Sequence, residues 1–329
     1  MGNILFTAIN AVAPVVLVIL LGYLLKQSGF LSREFVKTGN KLVFKVCLPC
    51  MLFINVYDID GFSSINWDIV LYCVAMLLVI FGLSYFTTIA TTAVPQRRGV
   101  LWQCAFRSNF AIIGLSLAGA LGGNEAVAVA AIVSSFTVPL FNVLAVISLS
   151  AFTGGEKKNN VREIIGNIVK NPLIIAVVLG LVCLGIREAQ TALLGAPVFT
   201  LKNQLKFFYT TINNLKAIAS PFALLVLGGQ FEFSAVKGLM KEIVAGTVWR
   251  IIIAPLLGIG GAILLSQYSG ILSCGVNEYP ALIAMFGSPV AVSSAVMAGA
   301  MGSDEQLATQ LVVWTSLLSI LTIFAQVCV

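Results

Sequence analysis

Two segments 180 residues apart carry one pattern: SNFAIIGLSLAGALGGNEAVA at Ser108–Ala128 and SPVAVSSAVMAGAMGSDEQLA at Ser288–Ala308. Eight of the 21 aligned positions are identical, among them Ser108/Ser288, Gly119/Gly299, Gly122/Gly302 and Glu125/Glu305. A composition this apolar would give roughly two by chance. The chain therefore reads as two copies of one unit. Both copies lie inside long hydrophobic runs and put helix-weakening residues near mid-run, which in repeat-built membrane proteins points to a ligand site between the copies.

With 59% hydrophobic and 10% charged residues over 329 positions, the chain carries far more apolar surface than a water-soluble domain can hide. Lipid must cover it, and the fold class is an all-α membrane protein. Met1–Asn10 has no basic stretch of the kind that opens a signal peptide, and the apolar run to Leu25 is long enough to span, so the first helix is expected to stay. Histidine is absent, which removes the usual proton shuttle, the serine–histidine nucleophile pair and the commonest metal ligand. No enzyme chemistry and no cofactor is expected. Cys47 and Cys50 sit in an apolar run without further ligands, and the seven cysteines read as small apolar residues.

Apolar runs separated by charged or Gly/Asn-rich breaks predict ten helices, near 3–25, 35–57, 68–93, 98–121, 124–150, 161–186, 207–230, 240–266, 277–301 and 304–327. With the N-terminus outside, the inner loops and helix ends hold eleven cations, from Lys26 to Lys241, and the outer loops hold three: Arg187, Lys202 and Lys206. Both termini are thus expected outside, and the +6 net charge is explained as cytoplasmic loop without any nucleic-acid partner. Five helices per copy is an odd number, so the second copy must insert upside down: residues 1–152 and 153–329 form two inverted five-helix repeats, joined at the charged linker Gly154–Arg162. Pro14, Leu21 and Gly22 in helix 1 pair with Pro172, Leu179 and Gly180 in helix 6, and Pro49 in helix 2 with Pro221 in helix 7.

The run Asn109–Gly114 in helix 4 and Gly287–Pro289 in helix 9 lie at matching depth, where proline removes a backbone donor and glycine lowers helix propensity. An unwound crossing there would expose N–H groups at half-helix starts, which favour an anion. Asn109, Ser116, Ser288, Ser293 and Ser294 could add donors. The alternative is a pair of kinks with small-residue packing faces around Gly114, Gly119 and Gly122. Five cations fall within predicted spans, Lys45, Arg107, Lys170, Lys216 and Arg250, and no acidic residue lies comparably deep. An unbalanced cationic set suggests a mobile anion as its partner. Arg107 immediately precedes the crossing and can grip a carboxylate bidentately, or else it snorkels to water. Snorkelling is the expected account of Lys45, Lys170 and Arg250, while Lys216 fits an outer vestibule. Asn124/Glu125 and Asp304/Glu305 read as helix caps; Asp58, Asp60, Asp68 and Glu278 fall in outer loops or helix entries.

GYLLKQSGFLSREFVKTGNKLVFKVCLPCMLFINV (Gly22–Val56), FRSNFAIIGLSLAGALG (Phe106–Gly122) and SPVAVSSAVMAGAMG (Ser288–Gly302) resemble bacterial members of the auxin efflux carrier family, relatives of the plant PIN carriers. The likeness covers essentially the whole chain. It implies helices 4 and 9 broken and crossing at Asn109–Gly114 and Ser288–Val292, which brings Phe110, Pro289 and Val290 into the binding region beside the residues above. It implies transport of organic anions; with the unbalanced cations above, the expected substrates are small mono- or dicarboxylates. It further implies a scaffold of helices 1, 2, 6 and 7 that dimerises, the other helices moving as an elevator in a bacterial inner membrane. One departure stands out: Ser116 occupies a position where many relatives carry proline, which predicts a softer break in helix 4. The competing readings are a sodium-coupled symporter of the bile-acid type and a non-transporting receptor for a lipid or anion.

Overall fold

The computed structural model describes residues 2–59, 66–152, 166, 169–267, 270, 272–275 and 278–328, and among them no strand is formed. The linker Gly154–Arg162 and Asp60 lie outside the described residues. The helices run in chain order as α1 (Gly2–Gln27), α2 (Arg33–Tyr57), α3 (Trp67–Thr91), α4 (Pro95–Phe106), α5 (Phe110–Ser150) and α6 (Pro172–Leu194). They continue as α7 (Lys206–Gln230), α8 (Phe233–Gln267), α9 (278–287), α10 (Ser293–Ala300) and α11 (Glu305–Cys328). Among the described residues seven helical runs, α2, α3, α5 to α8 and α11, are long and apolar enough to cross a membrane. The protein is an all-helical integral membrane protein.

Residues 98–121 and 277–301, each drawn above as one helix, are divided. The 12-residue α4 covers only about 18 Å at helical rise and stops inside the apolar layer. Its end is not the expected one. Arg107 is extended (φ −83°, ψ 106°) and Asn109 non-helical (φ −80°, ψ 44°), while Phe110–Gly114 is already wound again, as a π turn. The interruption is therefore 107–109, upstream of the Asn109–Gly114 run and upstream of Ser116, so the missing proline does not soften it. Ser288 is extended (φ −63°, ψ 148°), as the residue before a proline must be. No proline imposes the first break; its backbone is satisfied by the second. Ser108 bridges Val290 in antiparallel fashion, the Asn109 amide donates to the Pro289 carbonyl at 2.8 Å, and the Ala291 amide donates to the Arg107 carbonyl at 3.3 Å.

Helix 6 of the sequence reading also shifts, from 161–186 to Pro172–Leu194. Pro172 stands at the first turn, where its missing N–H costs nothing, and Asn171 caps the helix by accepting from the Leu173 amide. Lys170 is consequently an exposed residue ahead of the helix, not a cation within it. Gly123 (φ 68°, ψ −158°) bends α5 between its short first arm and the long second one, at the predicted boundary of helices 4 and 5. Gly302 (φ 73°) makes the corresponding turn ahead of α11. Side chains other than glycine rarely enter that region.

Glycines set the closest approaches. A Cβ on Gly22 of α1 would collide with the Leu225 carbonyl of α7, and one on Gly228 of α7 with the Ile19 carbonyl of α1. Gly180 of α6 faces α2 in the same manner, its Cβ position being 3.1 Å from the Phe53 carbonyl and 2.9 Å from Val56 Cβ. Neighbouring backbone cannot rotate away, so Gly22→Val is expected to cost at least the ~1–3 kcal/mol typical of overpacking. Thermal unfolding of the detergent-solubilised protein, read by intrinsic fluorescence, should show a clear fall in Tm. Gly82→Val, whose Cβ would meet open space, should leave it unchanged.

Candidate functional site

The paired breaks floor a cavity of about 40 Å³, enough for a few waters or one carboxylate-sized group. Arg107, Asn109, Asn142 and Ser293 line it from one side, and Met51 and Ser220 from α2 and α7. The first turns of α5 and α10 both begin there, through Ala111, Ile112 and Ser293, so two partial positive helix ends converge on the same small volume. A vestibule of about 390 Å³ that includes Asp58 and Lys216 shares Met51, Ala111, Ile112, Val138 and Ser220 with the cavity. A second vestibule of about 510 Å³, beside Lys37 and Glu305, has no lining residue in common with it. The cavity thus adjoins the vestibule on the Asp58 side and shares no wall with that on the Lys37 side.

Two buried guanidinium groups meet at this crossing and are used differently. Arg250, 1% exposed, sits on a π turn (Trp249–Ile253) of α8. Its Nη1 donates to the Phe106 carbonyl at 2.9 Å, its Nε to Ser288 at 3.1 Å, and its Nη2 to Met285 at 3.3 Å and also to Phe286. These are the terminal carbonyls of α4 and α9, the negative ends of two half-helix dipoles, which balance the buried charge without any carboxylate. Snorkelling, expected for Arg250, is therefore replaced by full burial: the side chain is too well supplied with acceptors to need water.

Arg107 is 2% exposed and does not snorkel either. Its Nη2 donates to Asn142 Oδ1 at 2.6 Å and its Nη1 lies 2.6 Å from Met297 Sδ. A thioether is a weak acceptor, and a guanidinium carries five N–H donors. No carboxylate comes within 4 Å of Arg107 among the described residues. Beside it the buried Asn109 Nδ2 and Ser108 Oγ have no hydrogen-bond partner among the described residues. The arrangement offers unspent donors and positive charge to one small acceptor group, which is what a carboxylate requires.

Of the residues singled out from the sequence, Arg107, Asn109 and Ser293 line the cavity together. Pro289 and Val290 are buried and act through backbone, in the pairing already described. Ser288, 0% exposed, spends its hydroxyl on the Ala284 carbonyl at 2.6 Å. Phe110 is core, packed beneath Gly114, whose missing Cβ lets α5 approach the Ala284 carbonyl of α9. Ser116 is exposed and bonds back to the Ile112 carbonyl at 3.3 Å. Lys45 is exposed in the second vestibule, and Lys216 is half-buried in the first. Asp58, at the rim of that first vestibule, is held by Lys202 at 3.1 Å and by the Tyr209 hydroxyl at 2.9 Å.

Sequence reasoning overlooked Asn142, Met297 and the role of Arg250. An asparagine deep in the second arm of α5 was the available signal, since an unpaired amide in lipid is expensive. It also overlooked Glu242, a buried acid that accepts from Arg97 and Thr92, both at 3.0 Å; Arg97 reaches Asp304 as well, at 3.2 Å.

An uncharacterized transporter of Methanothermobacter thermautotrophicus is 24% identical over 325 residues, covering 95% of each chain. The family described as membrane transport protein matches residues 7–325. With that match running through every helix described above, the chain belongs to the membrane transport protein family, the auxin efflux carrier family that its three sequence segments resemble.

Proposed function

We propose that this transporter carries small organic anions such as mono- or dicarboxylates, bound between the two helix breaks with Arg107 as the charge partner. The observation that carries the reading is a buried arginine with no carboxylate within 4 Å among the described residues, lining one small cavity together with Asn109, whose Nδ2 has no partner among them. In this reading the chain is ten helices in two inverted repeats, helix 4 being α4 with the first arm of α5, and helix 9 being α9 with α10. The packing of α1 on α7 through Gly22 and of α2 on α6 through Gly180 supports it, because an inverted repeat requires such contacts in pairs.

The scaffold is then α1, α2, α6 and α7, which supplies one wall of the cavity, and the remaining helices move against it as an elevator. Homodimerisation falls to the scaffold, where α6 carries an exposed apolar face including Val178, Leu179 and Val182. With both termini outside, the vestibule at Asp58 opens outward and that at Lys37 inward. An anion leaving a negative-inside cell gains about 2.3 kcal/mol per charge per 100 mV, so export needs no gradient of a second solute. A thermal-shift screen of carboxylates on the purified protein, followed by flux of the best hit in proteoliposomes, tests the reading. Saturable counterflow supports it. Flux that demands sodium selects the symporter alternative, and binding without counterflow selects the receptor.

A further inference from the structure

We propose that Glu305 is a proton-binding site that latches the moving helices to the scaffold on the Lys37 side and releases them when protonated. The inference rests on the division into scaffold and moving helices given under the proposed function. Glu305 opens α11, and its Oε1 accepts from Asn40 Nδ2 of α2 at 2.7 Å and from Gln230 Nε2 of α7 at 2.6 Å. Two further bonds run the same way: Gln306 Nε2 to the Gln230 carbonyl at 3.1 Å and Gln310 Nε2 to the Glu232 carbonyl at 2.7 Å. One carboxylate oxygen therefore ties α11 to two scaffold helices on the Lys37 side. Gly299 makes room for it, since a Cβ there would run into the Glu305 carboxylate and stand 2.9 Å from Asn40 Nδ2. The capping role read from the sequence belongs to Asp304, whose Oδ1 accepts from the Leu307 amide at 2.9 Å.

The chemistry of the cluster has two states. An ionised carboxylate only accepts, and two amide N–H groups suit it; such charge-assisted bonds are roughly twice as strong as neutral ones. A proton taken from vestibule water onto the carboxylate turns one oxygen into a donor and removes the charge, and both amide bonds weaken. Asn40 Oδ1 and Gln230 Oε1, on the same amides, are buried without hydrogen-bond partners among the described residues; one of them, turned toward a protonated Glu305, gives at most one neutral bond in place of two charge-assisted ones. Asn40 itself is 6% exposed. On closing, the proton returns to the vestibule.

The vestibule of about 510 Å³ is lined by Asn40, Gln230 and Glu305 and gives water a route to the carboxyl group. Facing it are Lys26 of α1, Arg33, Lys37, Lys41 and Lys45 of α2, and Glu232 beyond α7. None of these cations comes within 4 Å of Glu305, and neighbouring Asp304 is engaged by Arg97. The ionised carboxylate is the form that accepts both amide bonds, so in this proposal the latch is closed at neutral pH and yields on acidification. An anion site and a proton site on the same moving body are the two elements that anion–proton coupling needs.

Hydrogen exchange of the full-length protein, read by mass spectrometry and corrected for the intrinsic rate, reports opening without any substrate. Peptides covering 226–232 and 296–308 should lose protection several-fold in acid relative to neutral buffer. Glu305→Gln should show the low protection at both pH values. Asn40→Ala, which removes one donor and no charge, should exchange faster throughout yet keep its pH dependence. Protection in the wild-type chain that ignores pH, or pH dependence that survives Glu305→Gln, overturns the proposal. So does protection restored by sodium in place of choline at fixed pH, which would assign the orphan oxygens to a metal cation. Should Glu305→Gln fail to fold, the wild-type and Asn40→Ala profiles still decide. A protein that opens with pH but carries no carboxylate would instead refute the proposed substrate and leave the latch standing.

Discussion

Replacing Arg107 by glutamine is expected to reduce carboxylate flux in proteoliposomes to the level of empty vesicles at micromolar substrate, with insertion and thermal stability nearly unchanged. The asymmetry follows from what Arg107 touches. Its protein partners are one amide oxygen and one thioether sulfur, and glutamine is long and polar enough to leave neither Asn142 nor the cavity wall with a buried unpaired charge. What the substitution removes is the positive charge and the two-pronged donor. Hydrogen bonds to charged groups contribute about 1.5–3 kcal/mol each, so one lost contact weakens carboxylate binding roughly 10- to 100-fold and two weaken it further. Arg107→Lys should recover part of the binding, because an ammonium keeps the charge but not the fork. The measurement is paired: the substrate-induced rise in Tm, and flux. A carboxylate that still stabilises and crosses with Arg107→Gln would remove this residue from the mechanism.

The repeat in Ser108–Ala128 and Ser288–Ala308 located the neighbourhood of the crossing because Pro289 and the glycines act locally, and local effects are legible in a sequence. What could not be read there is long-range. Arg107–Asn109 contains no helix breaker; it leaves the helix where the Pro289 carbonyl, 180 residues away in the chain, accepts from the Asn109 amide. The Asn109–Gly114 run was thus two residues late. Arg250 was assigned to water for the same reason. Its acceptors are 35 to 144 residues away, and the π turn that aims it has no signature in the one-letter code. Two of the serines were overvalued. Ser116 and Ser288 satisfy themselves on the preceding turn, the common fate of a hydroxyl inside a helix. The apolar runs, set by the thickness of the bilayer, were the easiest part to read.

Arg250→Leu is expected to be the more damaging of the two arginine substitutions, and to act on folding before function. Its side chain holds the carbonyls of Phe106, Met285, Phe286 and Ser288, all at ends of helices that stop inside the protein. Leucine would leave these groups without donors where water is scarce. Each buried unsatisfied acceptor costs about 1–3 kcal/mol, and the sum rivals the ~5–15 kcal/mol that holds a typical protein together. The two half-helix dipoles would also face each other with no cation between them. The prediction is a sharp loss of monodisperse protein on size-exclusion chromatography and a Tm lowered by well over ten degrees in whatever remains. Arg250→Lys separates charge from geometry: three donors on a single nitrogen can neutralise the dipoles but cannot span carbonyls from α4 and α9 together. It should fold, melt several degrees below the wild type and bind carboxylate more weakly although no atom of residue 250 lines the cavity, because the floor that positions Arg107 and Asn109 is the pairing that Arg250 clamps. If Arg250→Lys instead matched the wild type in both Tm and carboxylate affinity, charge alone would suffice and the fork geometry would have no part in setting the crossing.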